Sequence, residues 1–412
     1  MKKILAVALA AIMLFAFAAC GGDKTSTDAT IIASPLAAPE VVKDYEIPAD
    51  FKIGFICLHD DKSTYDLNFL KAVDSVKAAL GLTDEQVIVK TNIPEGNECY
   101  EAAKDLVSQN CDIVFANSFG HEDHMIRAAK EFPDVQFCHA TGVKAQATGL
   151  ANYHNAFASI YEGRYLAGIA AGLKLNEMIA DGKIKAEEAK IGYVGAFTYA
   201  EVISGYTSFY LGAKSVCPTV TMDVQFTGSW YDATAEKNVA EALIANGCVL
   251  ISQHADSMGA PSACEAKGVP NVSYNGSTVE ACPETFIVSS AINWAPYYNY
   301  IIKCVATGAE IDTDWCGGIS AGSVVLSDIN SAAAAEGTLE AINKAIEGFK
   351  AGTLHVFDTA TFTVNGEAVT TYVVEGKEVV SDGYFHESEI KAAPYFDLRI
   401  DGITLLNEDY GD

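Results

Sequence analysis

The chain has 412 residues, a formal net charge of −27, and hydrophobic residues at half its positions. That length exceeds what one hydrophobic core usually holds, so two domains are expected. The acidic balance argues against nucleic acid and against docking on anionic lipid, and it favours solubility without saying what is bound.

The first residues carry an address. Met1-Lys2-Lys3 gives a positive start, residues 4–16 an unbroken apolar run, and Phe17-Ala18-Ala19-Cys20-Gly21-Gly22 a small-residue cleavage region. This is the layout of a secretory signal, too short to span a membrane. The Ala18-Ala19-Cys20 step resembles a bacterial lipobox, with Phe17 standing where Leu is usual. The expected signal segment is residues 1–20, Cys20 is the expected lipid-attachment residue, and the expected location is the extracytoplasmic face of the cell membrane. No later run approaches ~20 apolar residues, so no other span is expected.

Residues 21–50, rich in Ala, Thr, Ser and Pro without an apolar period, read as a flexible tether. An α/β pattern follows. Strands are expected over 51–57, 86–90, 111–116 and 135–139, with helices over 65–80, 99–110 and 122–132 between them and a helix over 156–175 closing this half. Lys190-Ile191-Gly192-Tyr193-Val194-Gly195 then echoes the first strand and the alternation restarts. Helices are expected over 200–214, 236–246, 262–267 and 297–307. Strands are expected over 219–226, 249–253, 271–274 and 285–290. Short apolar strands alternating with helices indicate parallel β-α-β units, and two successive sets indicate two doubly wound lobes. The expected boundaries are lobe 1 over 51–155, a helical crossover over 156–188, and lobe 2 over 189–290. Residues 291–412 are expected to hold return segments to lobe 1, the hinge and a β appendage packed on one lobe. Asn365-Gly366 and Glu375-Gly376 mark hairpins in that appendage.

Eleven cysteines are scattered without a C-x-x-C step or zinc spacing. Cys57, Cys111, Cys138 and Cys248 lie in apolar runs, as small buried hydrophobes do. Disulfides can form outside the cell, where Cys304 with Cys316 and Cys264 with Cys282 are candidate pairs.

The chemistry-bearing residues follow predicted strands, where doubly wound sheets bind their ligands. They occur in Leu58 to Asp66, Asn117-Ser118-Phe119-Gly120-His121, Ala196-Phe197-Thr198-Tyr199, Gly228-Ser229-Trp230-Tyr231-Asp232, His254-Ala255-Asp256, Asn275-Gly276-Ser277 and Asn293-Trp294. Aromatic plates beside a few directional polar groups suit a flat heterocycle. Capping of the helix at 65 by Asp61 or Ser63, and lobe packing by any single aromatic, are the plain structural readings. No Gly-x-Ser-x-Gly elbow, phosphate loop or dinucleotide fingerprint is present. His121-Glu122-Asp123-His124 lacks the helical spacing of a zinc protease and reads as an acidic helix start. No enzyme activity, cofactor or metal is expected.

Ile113-Val114-Phe115-Ala116-Asn117-Ser118-Phe119-Gly120, Glu162-Gly163-Arg164-Tyr165-Leu166-Ala167-Gly168 and Lys190 to Gly195 resemble the basic membrane lipoprotein family of ABC-transporter substrate-binding proteins. Gly228-Ser229-Trp230-Tyr231-Asp232 and Asn293-Trp294-Ala295-Pro296-Tyr297-Tyr298 are similar to a branch thought to take purine bases or related rings. The resemblance implies two Rossmann-like lobes of the periplasmic-binding-protein type I kind, closing about a hinge. It implies a ring held between aromatics, from Tyr65 or Phe119 in one lobe and Phe197 or Trp230 in the other. Asp256, Asn275, Asn117 and His254 would bond its edge, with Ser118 and Trp294 in the same loops. Thr64-Tyr65 and Asn275 depart from the nucleoside-receptor pattern, which favours a free base or another ring over ribose. The implied partners are a purine-like small molecule, an ABC permease and the membrane through the lipid. A ligand-sensing lipoprotein of the same fold, signalling to a membrane partner, is the second reading.

Overall fold

The structure, a computed structural model, describes residues 31–408 and residue 410. The signal segment, Cys20 and residues 21–30 lie outside the described residues.

The chain begins with β1 (Ile31–Ile32), β2 (Ile53–Ile56), α1 (Thr64–Leu80), β3 (Val87–Lys90), α2 (Asn97–Ser108) and β4 (Ile113–Ala116). It continues through α3 (Glu122–Glu131), β5 (Gln136–Ala140), α4 (Ala145–Thr148) and β6 (Tyr153–Ala158). The second half holds α5 (Ile160–Ala180), β7 (Lys190–Gly195), α6 (Ala200–Val216), β8 (Thr221–Phe226), α7 (Ala233–Ala245), β9 (Leu250–His254), α8 (Gly259–Lys267), β10 (Asn271–Tyr274) and β11 (Phe286–Ile292). Then come α9 (Ala295–Thr307), β12 (Asp314–Gly317), β13 (Val324–Leu326), β14 (Ile329–Asn330) and α10 (Thr338–Lys350). Two short hairpins, β15 (Val373–Val374) with β16 (Lys377–Glu378) and β17 (Val380–Ser381) with β18 (Tyr384–Phe385), precede β19 (Ile403–Leu405).

Two sheets organise these elements. Lobe 1 is a six-stranded sheet in the order β12-β6-β5-β4-β2-β3, parallel throughout. Lobe 2 is a seven-stranded sheet in the order β13-β11-β10-β9-β7-β8-β19, with only β13 antiparallel. The central strands β2 and β4 are buried at every position, as strands covered by helices on both faces must be. The echo between the halves has a packing reason. A Cβ on Gly54 of β2 would sit 2.7 Å from Leu106 of α2, and one on Gly192 of β7 would sit 3.0 Å from Leu243 of α7. Each glycine lets a leucine-bearing helix lie against its sheet.

The chain passes between the two sheets from β6 to α5, from β11 to α9 and from β12 to β13. Backbone bonds tie these passages side by side, from Ser159 N–H to Gly317 carbonyl at 2.9 Å and from Asn293 N–H to Ser323 carbonyl at 2.8 Å.

Four expectations change here. Tyr153–Ala158 is a strand, not the start of a helix, and α5 begins after it and packs on α6 of lobe 2. The return segments divide: α9 and β12 go to lobe 1, whereas β13 and β19 join the lobe 2 sheet. Residues 31–50 do not hang free. β1 pairs with β14, Ser34 N–H donates to Asp328 Oδ1 at 2.9 Å, and Tyr45 OH donates to Asn299 Oδ1 at 2.9 Å. Leu36 and Tyr45, two apolar residues without a period, are enough to pin the strand once they are buried. The appendage touches both lobes rather than one. Ala392 N–H donates to Asp314 Oδ1 of lobe 1 at 3.1 Å, and Arg399 Nη1 donates to Tyr206 OH of lobe 2 at 3.1 Å.

All ten cysteines of the described residues are free thiols, so neither candidate disulfide is formed. Nine are buried, consistent with their role as core hydrophobes.

Candidate functional site

The carboxyl ends of both sheets face each other across a cavity that both lobes line. Lobe 1 contributes Leu58, His59, Tyr65, Asp66, Ser118, Phe119 and Thr141; lobe 2 contributes Glu201, Trp230, His254, Asp256 and Tyr274.

Local folding sets each group. Ser63 caps α1 by accepting from Asp66 N–H at 3.1 Å, which turns the Asp66 carboxylate back toward the loop after β2. There Asp66 accepts from His59 N–H at 3.1 Å and Asn117 Nδ2 at 2.7 Å. Tyr65 is fixed by its hydroxyl, which donates to Asn117 carbonyl at 2.7 Å, and by an edge contact with Phe69 at 4.8 Å between centroids. Asp232 caps α7 and thereby sets the loop that carries Trp230. Thr141 has φ 68°, an outlier for a β-branched residue, and it is held on the cavity wall after β5.

The lobes touch around the cavity. Thr64 N–H donates to Asp256 carbonyl at 3.0 Å, and Asn68 Nδ2 donates to Asn275 Oδ1 at 3.2 Å. Phe119 of lobe 1 stacks on Tyr199 of lobe 2 at 5.0 Å, and Tyr199 stacks in turn on Phe197 at 5.2 Å.

Six of the ten expected ligand-contacting residues line this cavity: Tyr65, Ser118, Phe119, Trp230, His254 and Asp256. Four lie elsewhere. Asn117 is buried behind the wall, its amide spent on Asp66 and on Leu58 N–H. Phe197 sits behind Tyr199 and meets Trp230 edge-on at 5.0 Å. Asn275 takes a left-handed conformation at φ 66° and bridges Asp256, at 3.3 Å, to Asn68. Trp294 is a core residue of lobe 1, stacked on Phe69 at 4.5 Å. An aromatic just past a strand looks the same in sequence whether it faces the cleft or the core. Glu201, Tyr274 and Thr141 line the cavity without having been singled out. Tyr274 ends β10 and Glu201 opens α6, so strand ends read as strictly as the loops after them would have found Tyr274.

The charges are unequal. Burial raises Asp256 well above the usual carboxylate range, aided by the nearby charges of Glu236, Asp66 and Glu201. Burial pulls Asp66 the same way, but hydrogen bonds from His59, Asn117 and Ser63 outweigh it and hold Asp66 low. Burial lowers His254, against the opposing carboxylate of Glu201 at 3.5 Å. Tyr274 OH and both ring nitrogens of His254 are buried without a hydrogen-bond partner in the protein. No lysine or arginine lines the cavity among the described residues. The buried Arg164 guanidinium lies behind it, 5.1 Å from the Tyr274 ring centre and hydrogen-bonded to Ser252, Ser273, Ser290 and Tyr193. The charges of the site therefore favour a neutral or donor-rich ligand over a phosphorylated one. His121, of the His-Glu-Asp-His run, bonds Ile93 carbonyl at 3.0 Å, and Glu122 accepts from Val143 and Lys144 N–H. Both serve the fold of lobe 1.

The chain is similar to known proteins over most of its length. The family model of ABC transporter substrate-binding proteins of the PnrA-like type matches residues 58–352. A purine-binding protein of Brucella abortus is 33% identical over 260 residues, covering 62% of this chain and 69% of the relative. A putative ABC transporter glucose-binding protein of Haloferax volcanii is also 33% identical, over 218 residues, covering 53% of this chain and 52% of that protein. A solved ABC-transporter solute-binding protein from Conexibacter woesei superposes with a TM-score of 0.60 at 18% identity, covering 74% of this chain and 98% of its own, a likeness of fold.

Proposed function

Because this chain belongs to the PnrA-like family of ABC-transporter substrate-binding proteins, we propose that it captures a purine-type base or nucleoside between its lobes and hands it to an ABC permease. The observation that carries this reading is the shared cavity: Phe119 and Tyr65 from one lobe and Trp230 and Tyr274 from the other surround it, with Asp256 and His254 at its edge. Flat rings stack on such walls, and unpaired buried polar atoms are satisfied by a ring's N–H and acceptor edge. Closure needs a ligand with contacts on both lobes, since only differential affinity can shift the open–closed balance. Capture and release, not catalysis, is the work of the site.

The protein is further proposed to be lipid-anchored through Cys20, which would keep capture next to the permease. Replacing Cys20 by Ala should move the protein from the membrane to the soluble fraction. Membrane retention of that variant would count against the anchor.

Isothermal titration with adenine, guanine, hypoxanthine, their nucleosides, riboflavin and glucose tests the ligand class. Micromolar or tighter binding of at least one purine is expected, with none of glucose. Trp230→Ala and Asp256→Ala should each weaken it by about tenfold or more, since a buried stacking ring or hydrogen bond is worth roughly 1–2 kcal/mol. Binding of glucose alone, or of no purine, would overturn the purine reading.

A further inference from the structure

Phe119 reaches the cavity from a single 3-10 turn, Phe119–His121, that has no side-chain cap of its own. What fixes the turn comes from outside it. Glu95 stands on the segment between β3 and α2, is exposed, and does not line the cavity. One of its carboxylate oxygens, Oε1, accepts from Ser118 Oγ at 2.5 Å and from Gly120 N–H at 2.7 Å. Those two donors flank Phe119 on either side. The Glu95 side chain also lies flat on the turn: a Cβ on Gly120 would come within 2.7 Å of Glu95 Cβ and Cδ. Gly120 therefore leaves the space that the carboxylate needs to reach both donors.

A carboxylate acceptor makes each of these bonds stronger than a neutral one would. The other ring against Phe119 on its outer side is Tyr199, at 5.0 Å, and Tyr199 belongs to lobe 2. That contact goes when the lobes part. Glu95 and Phe119 belong to one lobe, so the carboxylate keeps its hold in the open protein. Stacking requires a ring at a set spacing and tilt, and a wall ordered in advance spares the ligand the cost of ordering it.

We propose that Glu95 is a positioning residue of the ligand site, one that presets the Phe119 ring in the open protein without touching the ligand. The proposal rests on the ring-binding reading above. It gives an exposed carboxylate outside the cavity a share in the affinity for a flat ring, exerted through Phe119.

The test uses the full chain with substitutions at Glu95, each checked for folding by circular dichroism. In calorimetry with adenine and guanine, Glu95→Ala should weaken binding by about tenfold, and Glu95→Gln, which keeps an acceptor oxygen, should stay within about threefold of wild type. In a Phe119→Leu background Glu95→Ala should cost less than about twofold more, because the ring through which it acts is gone. Full affinity in Glu95→Ala, no rescue by Gln, or the same loss in both backgrounds overturns the positioning role. A second readout needs no ligand. With 4-fluorophenylalanine at position 119, wild type and Glu95→Gln should give one fluorine resonance, and Glu95→Ala should move it toward its position in the urea-unfolded chain. A resonance that Glu95→Ala leaves unmoved also overturns the proposal. Failure of wild type to bind any purine overturns the ring-binding reading, and the fluorine spectra then decide the role of Glu95 by themselves.

Discussion

Asp66 and Asp256 face one cavity yet hold their protons differently, because Asp66 has three hydrogen-bond donors around it and Asp256 has one long bond from Asn275. The same contrast recurs deeper in the fold. Burial pushes Glu162 up to about 7, Glu236 to about 7 and Glu387 to about 8, from ordinary values of 4.5. Glu162 accepts from Ile319 N–H at the hinge, Glu236 from Ser257 N–H near Asp256, and Glu387 from Tyr395 N–H in the appendage. In the folded state each holds a proton over a range where the unfolded chain has lost it. The stability they contribute is complete below about pH 4.5 and is lost as pH rises through 7 to 8. Urea denaturation at pH 5, 6, 7 and 8 should therefore show falling stability, by up to roughly 1.4 kcal/mol per pH unit for each group titrating. Glu387→Gln, which keeps an acceptor but cannot ionise, should flatten the upper part of that fall. A profile that is level or rises with pH would contradict this assignment.

At the scale of elements, α5 and α6 cross so closely that side chains are excluded from the contact. A Cβ on Gly168 would lie 2.0 Å from Phe209 carbonyl oxygen, and one on Gly212 would lie 2.1 Å from Tyr165 carbonyl oxygen. In an isolated helix Gly→Ala stabilises by about 1 kcal/mol. Here Gly168→Ala or Gly212→Ala must push two backbones apart and should destabilise by about 2 kcal/mol or more. Equilibrium unfolding that finds either variant as stable as wild type would refute the close crossing. None of this contact was legible in the sequence, where both glycines sit inside an apolar helical run. Strands and helices were legible wherever period and turn signals agreed, as in α1, α3, β7 and the hairpin at Glu375-Gly376, whose φ values are 51° and 79°. β6 was not, since Tyr153–Ala158 is buried at every position and so shows no alternation before the helical run that follows. The loops of the site were legible as loops after strands. Which of their aromatics face inward was not, because Phe119 and Trp294 differ only in what packs behind them. The anchoring of residues 31–50 was hidden for the same reason, as two isolated apolar residues make no pattern.

Among the described residues, two mostly parallel sheets are linked through β6–α5, β11–α9 and β12–β13, and a C-terminal segment is bonded to both. That arrangement lines the cavity with residues from the carboxyl ends of strands and the first turns of α1 and α6. Aromatic walls, three carboxylates (Asp66, Glu201 and Asp256) and the buried His254 line the cavity. No helix of the described residues is long and apolar enough to cross a membrane. We propose that a flat heterocycle sits between Phe119 and Trp230. A crystal structure of the protein with an 8-bromopurine, read at the bromine absorption edge, tests it most directly. An anomalous peak is expected inside the cavity between those two rings; a peak on the outer surface, or none at saturating ligand, would overturn that placement.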